Sequence, residues 1–192
     1  MIVRHGFAPA DRPALARLYW AAFGDKLGRV LGPEDRARTF IAQVASPDHA
    51  LCIHDGGRLI GVAGFHSRQG ALVGGGISEL ANVYGTFGGI WRGLALGLLE
   101  RPLAEDELLV DGIFVAETHR GRGVGTTLLE ALAREAVARS CARVRLDVIN
   151  SNPRARALYE RRGFTPIAEQ SNRLLRPLFG FQTATTMVRR VI

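Results

Sequence analysis

The chain nearly lacks lysine: of its 25 basic side chains all but Lys26 are arginine. That lack excludes one phosphate-binding reading at once. A Walker A loop must end in Gly-Lys-Ser/Thr, whereas the chain's glycine-arginine turn, Arg120-Gly121-Arg122-Gly123-Val124-Gly125, runs on into Thr126 and Thr127. Cysteine is scarce too. Cys52 and Cys141 stand alone in apolar surroundings without motif spacing, which excludes a disulfide framework and predicts free core thiols in a reducing cytoplasm. No carboxylate or cysteine spacing joins His54 or His66 into a metal site. No apolar run approaches the ~20 residues of a membrane span, since Ile90 to Leu99 is interrupted by Arg92. Met1 to Ala10 carries Arg4 and His5 in a strand-like run and shows no secretory pattern. The formal charge of +7 invites a nucleic-acid reading. No basic stripe interleaved with aromatics supports it, so no nucleic acid is expected.

What is present suits one globular domain, expected over residues 1–192: the length allows a sizeable core, and the mean hydropathy is near zero. The stretch Leu108 to Leu129 organises it. Leu108 to Val115 is apolar and β-prone apart from Asp111 and Gly112, and predicts a buried strand. Val124, Leu128, Leu132 and Ala136 share one helical face. Between strand and helix lies the glycine-arginine turn. Unpaired N–H groups at a helix start and the helix dipole favour an anion there. Glycines allow close backbone approach and positive φ, and arginines add charge-assisted hydrogen bonds. A dinucleotide fingerprint G-x-G-x-x-G fits poorly, since its third glycine would fall on Thr126 and no acidic residue lies between Cys141 and Arg145.

A third reading fits better. Arg/Gln-x-x-Gly-x-Gly/Ala after a strand, opening a helix, resembles the acetyl-CoA pyrophosphate loop of the GCN5-related N-acetyltransferases (GNAT). Downstream, the run from Asn152 to Phe164, NPRARALYERRGF, resembles that family's N-x-x-A-x-x-L-Y-x-x-x-G-F helix and strand entry. The two segments come in the family's order and separation. The resemblance is strong from about Leu108 to Ala168 and architectural outside it.

The resemblance implies an α/β sandwich with a central mixed, mostly antiparallel sheet flanked by helices. It implies direct transfer of acetyl from acetyl-CoA to an amine on a small molecule, peptide or protein. Backbone N–H groups of Gly121, Arg122, Gly123, Val124, Gly125 and Thr126 would hold the pyrophosphate, with charge from Arg120 or Arg122. Ile113, Phe114 and Val115 would pair with the pantetheine arm as an added strand and polarise the thioester carbonyl. Asn152 would contact the pantetheine, although a helix N-cap role would also explain it. Tyr159 would donate to the departing thiolate; its structural alternative is a core tyrosine holding helix to sheet. The base that deprotonates the amine is open. Asp111, four residues before Val115 and so expected on the same face, is one candidate; Glu79, Glu117 and a water chain are others. A covalent route through either cysteine lacks a histidine-based activation pattern. The alternative function is a non-catalytic acyl-CoA-binding module on the same scaffold.

The rest of the chain reads as a strand (Ile2 to Phe7), a helix starting at Asp11 and broken at Gly24 and Gly28, and a helix from about Pro33 to Val44. A hairpin follows, Leu51 to His54 and Arg58 to Phe65 around Asp55-Gly56-Gly57. Gln69 to Gly76 reads as a loop. The segment of about 78–103 reads as a helical insertion, which either covers the acceptor pocket or forms a homodimer contact. Strands are expected at Arg143 to Ile149, from Phe164, and at Gln182 to Val191, with a loop over Ser171 to Gly180.

Overall fold

The computed structural model describes residues 1–99, 102–171, 175–181 and 183–192. Gln182, the expected first residue of the last strand, lies outside them, as do Glu100 and Arg101 of the expected insertion and residues 172–174 of the expected last loop.

Among the described residues, seven strands form one sheet: β1 (Val3–His5), β2 (Ala50–Asp55), β3 (Arg58–His66), β4 (Glu107–Val115), β5 (Arg143–Ile149), β6 (Thr165–Ser171) and β7 (Thr183–Arg190). Their order is β1-β2-β3-β4-β5-β7-β6. All neighbours are antiparallel except β4 and β5. This is the expected mixed, mostly antiparallel α/β sandwich. The hairpin turns at Gly56 and Gly57, both at positive φ (53° and 77°), the backbone that a two-residue hairpin loop requires.

Two cores lie on opposite faces of the sheet. On one, α1 (Arg12–Leu31), α2 (Glu34–Val44), α3 (Ile77–Gly97) and α6 (Leu175–Phe179) bury Leu15, Phe40, Ile41, Leu80 and Phe179 with Val62 and Phe114 of the strands. On the other, α4 (Val124–Ala138) buries Val124, Leu128, Leu129 and Leu132 against Ile53, Phe65, Leu108 and Val144, and α5 (Pro153–Arg161) adds Tyr159 at the edge. A Cβ at Gly61 would come within 2.7 Å of Val124, so the glycine lets α4 settle close on β3.

Three expectations need correction. The first helix does not break at Gly24 or Gly28 but runs unbroken to Leu31. A helical glycine costs about 1 kcal/mol, while each large apolar side chain buried returns about 1.5–3 kcal/mol. Leu27, Val30 and Leu31 all lie beyond Gly24 and are buried. The last loop contains α6, held to α1 by hydrogen bonds from Arg29 to the Arg176 and Pro177 carbonyls (3.4 and 2.9 Å). The insertion is helical as expected, but begins at Ile77 and is interrupted at Gly85 (φ 75°, ψ 164°).

Candidate functional site

The geometry starts from a parting of strands. β4 and β5 pair only at Glu107↔Arg143, Leu108↔Val144 and Leu109↔Arg145. Beyond Leu109, β4 continues to Val115 and β5 to Ile149, but they no longer bond to each other. Residues 110–115 of β4 therefore have β3 on one side and, among the described residues, no strand on the other. An open sheet edge is a template for another extended, amide-bearing chain.

The glycine-arginine turn lies just past that open edge. Gly121 and Gly123 both adopt positive φ (76° and 84°), as the sequence led one to expect. Gly123 is the left-handed N-cap of α4 and supplies no side-chain cap. The first bond of the helix runs from Thr127 N–H to the Gly123 carbonyl (2.9 Å). The N–H groups of Val124, Gly125 and Thr126 precede it and have no partner within the helix. No acidic side chain occupies that first turn. Arg120 and Arg122 are exposed, and the Arg120 Nε donates to the Val115 carbonyl (3.3 Å), tying the turn to the strand end. An uncapped, acid-free helix start beside exposed arginines is suited to an anion.

Tyr159 is half-buried on α5, its ring 6.0 Å from that of Phe164. Its hydroxyl has no hydrogen bond to another described residue, and burial pushes its pKa above the ordinary 10.0. Asn152 caps α5: its Oδ1 accepts from Ala155 N–H (3.1 Å), which leaves the side-chain NH2 as a donor.

Asp111 is placed differently from the expectation. Opposite Gly64 lies Gly112, but opposite Phe65 lies Val110, so Asp111 is the extra residue of a β-bulge. The bulge shifts the side-chain alternation. Ile113 and Val115 pack towards α4, as do Leu108 and Val110, whereas Phe114 packs towards α1. Asp111 does not share the face of Val115. It sits on the α1 side, accepting a hydrogen bond from Leu72 N–H (2.9 Å) near Tyr19. It is solvent-accessible although protein surrounds it. Desolvation pushes its pKa above 3.8, opposed by the Leu72 hydrogen bond and the charge of His66.

The other two carboxylates are less suited to take a proton. Glu79 is exposed and accepts from Ser78 Oγ (2.8 Å) and Gly76 N–H (2.9 Å), bonds that hold its pKa below the ordinary value. Glu117 is exposed in a short turn after β4. Both cysteines are free and buried; desolvation drives the Cys52 thiol up to about 12 and raises that of Cys141. Thiols so raised stay protonated near neutral pH, which disfavours them as nucleophiles.

The sequence reading missed the aromatic cluster on the Asp111 side of the sheet. Tyr19 and Phe23 of α1, read as core stripe, pack on Phe114 at 5.6 and 6.1 Å and on each other at 4.8 Å. Gly112 makes room for them, because a Cβ there would collide with the Phe23 ring. Lys26 lies 5.5 Å over the same ring, and burial lowers its pKa. The available signal was Gly112 inside a strand, which marks a bulge or a close approach. Tyr159 packs on the α4 side of the sheet and Asp111 lies on the α1 side.

A family model described as acetyltransferase (GNAT) family matches residues 12–164. A curated relative from Bacillus subtilis strain 168, an uncharacterized N-acetyltransferase named YobR, is 39% identical over 67 residues, 35% of this chain. The match spans only 27% of that relative's length. Among solved structures, an N-acetyltransferase from Staphylococcus aureus Mu50 superposes with a TM-score of 0.66 at 19% identity, over 98% of this chain and 100% of that one. A ribosomal-protein-alanine N-acetyltransferase from Brucella melitensis gives 0.64 at 19%, over 99% of each chain. At such identities these structures speak for the fold alone.

Proposed function

Because the chain belongs to the acetyltransferase (GNAT) family of enzymes, we propose that it moves an acetyl group from acetyl-CoA directly to the primary amine of a small molecule, peptide or protein. The observation that carries this reading is the open edge of β4 leading into the uncapped start of α4. The pantetheine arm lies along residues 113–115, and the pyrophosphate meets the N–H groups of 121–126 with charge from Arg120 and Arg122. Asn152 offers its NH2 to the pantetheine. The thioester then spans the gap between β4 and β5.

Each half of the reaction has its own face of the sheet. On the α4 and α5 side, the Tyr159 hydroxyl donates to the departing sulfur. On the α1 side, Asp111 takes the proton from the amine as nitrogen attacks the carbonyl carbon. A primary amine rests near pKa ~10, so a carboxylate with raised pKa is the better base of those present. The C–N bond forms, the C–S bond breaks, and CoA leaves as the thiol. A backbone N–H of Ile113 to Val115 stabilises the oxyanion. Two buried free thiols suit a reducing cytoplasm, and no helix among the described residues is long and apolar enough to cross a membrane.

The test is thiol release from acetyl-CoA against a panel of amines and peptides, paired with calorimetry of the coenzyme alone. Heat on mixing and amine-dependent thiol release are expected. Heat without release for any amine favours a non-catalytic acyl-CoA-binding module. No heat removes both readings.

A further inference from the structure

The segment between β3 and β4 presents large apolar side chains to water. Phe87 is 91% exposed, Leu94 68%, Ile90 44%, Leu98 42% and Trp91 41%. Their spacing places all five within one stripe of a helix. The reason they face outward lies in Gly85, where the helix breaks and its second half folds back on the first. That return is packed by small residues. A Cβ at Gly89 would lie 2.6 Å from the Ala81 nitrogen, and one at Gly93 2.6 Å from Ile77 Cγ1. Glycines thus fill the inner face and large apolar residues the outer, the reverse of a helix designed to meet solvent.

No residue of the stripe is itself charged, although the Arg92 guanidinium lies 4.4 Å over the Trp91 ring. The one charged residue between Thr86 and Gly97 is Arg92, and it turns inward. Its guanidinium lies 4.0 Å over the Tyr84 ring and donates to the carbonyls of Gly88 (3.1 Å) and Gly32 (3.3 Å). Tyr84 in turn donates to the Leu31 carbonyl, anchoring α3 to the end of α1.

We propose that this outer face of α3 is a self-association surface on which a second copy of the chain docks. The area suits that occupant. At about 150–250 Å² per large side chain, the exposed fractions amount to roughly 550 Å² per copy, near the upper end for a monomer's largest apolar patch. Two copies face to face bury roughly 1,100 Å² before any rim is added, the threshold of a specific interface. The stripe is also self-complementary. An antiparallel pairing about Arg92 and Gly93 sets Phe87 against Leu98 and Trp91 against Leu94 across a two-fold axis, as an isologous contact requires. A lipid surface is a poorer match, since an interfacial helix lines its polar face with Lys and Arg and the only basic residue here is engaged with protein.

Sedimentation velocity of the full chain at about 1–100 µM tests the proposal. A dimer is expected in that range, and Leu94→Glu should weaken association at least ~100-fold by leaving a charge in the apolar seam. Ile167→Glu, a charge placed on an apolar residue 62% exposed on β6, should leave the dimer intact. Circular dichroism and melting temperature confirm that Leu94→Glu folds. A wild-type monomer throughout overturns the proposal, as does a dimer that Leu94→Glu leaves unchanged. Co-flotation of wild type with phosphatidylglycerol vesicles that Leu94→Glu abolishes assigns the stripe to lipid and overturns it equally.

Discussion

Tyr159→Phe removes one oxygen and no packing, so its effects separate cleanly. In the structure the hydroxyl bonds to no other described residue, while the ring packs on Phe164. Phenylalanine keeps that ring contact. Stability should therefore stay within about 0.5 kcal/mol, as for a substitution that breaks no internal interaction. Coenzyme affinity should hold as well, because the phosphates are assigned to the start of α4 and the pantetheine to β4 and Asn152, none of which the substitution alters. What is lost is a hydrogen bond to a thiolate that carries charge only as the C–S bond breaks. A bond to a charged group is worth about 1.5–3 kcal/mol, and each 1.36 kcal/mol on a barrier is about tenfold in rate. The expected loss in kcat is about 10- to 150-fold. Burial raises the Tyr159 pKa above 10.0, so the phenol remains a donor near neutral pH. Steady-state thiol release, calorimetry with acetyl-CoA and a thermal melt measure the three quantities. Unchanged kcat, with affinity and melting temperature also unchanged, would refute the role of Tyr159 and leave it a packing residue.

Asp111→Asn should remove the acid-side limb of the kcat/KM profile and lower the rate by about 10²–10⁴; a variant that keeps the wild-type limb excludes Asp111 as base. The same residue predicts a stability trend. Its pKa is raised above 3.8 by burial, so the fold favours the protonated acid, and the stability it contributes is greatest below 3.8 and is lost as pH rises through the raised value. The melting temperature of Asp111→Asn relative to wild type should accordingly climb over that interval, and a pH-independent difference would contradict it. Gly123→Ala forces a Cβ into φ 84° at the start of α4, a strain of about 1–2 kcal/mol; calorimetry should show acetyl-CoA binding weakened by about tenfold if the helix start shifts. Gly112→Ala drives a methyl into the Phe23 ring and should destabilise by about 1–3 kcal/mol in urea titrations; an unchanged midpoint would mean that the aromatic cluster is not packed on β4.

The parts of this protein legible in its sequence are those set by neighbours along the chain. Gly121 and Gly123 take positive φ because a turn into a helix demands it there. Asn152 and Pro153 begin α5 through the local chemistry of a cap, and Gly163 ends it at φ 80°. The hairpin at Gly56 and Gly57 is equally local. Other features needed partners from far away. α1 survives Gly24 and Gly28 only because its C-terminal half is buried against other helices. β7 inserts between β5 and β6, a placement that no periodicity in either strand specifies. Asp111 changes face because β4 carries one residue more than β3 across the bulge, and a one-residue shift reverses every side chain beyond it. Strand period, caps and turns are short-range consequences of backbone sterics, so residue order alone settles them. The aromatic cluster and Asp111 join α1 to β4, nearly a hundred residues apart in the chain, and only packing of the whole molecule decides how they meet.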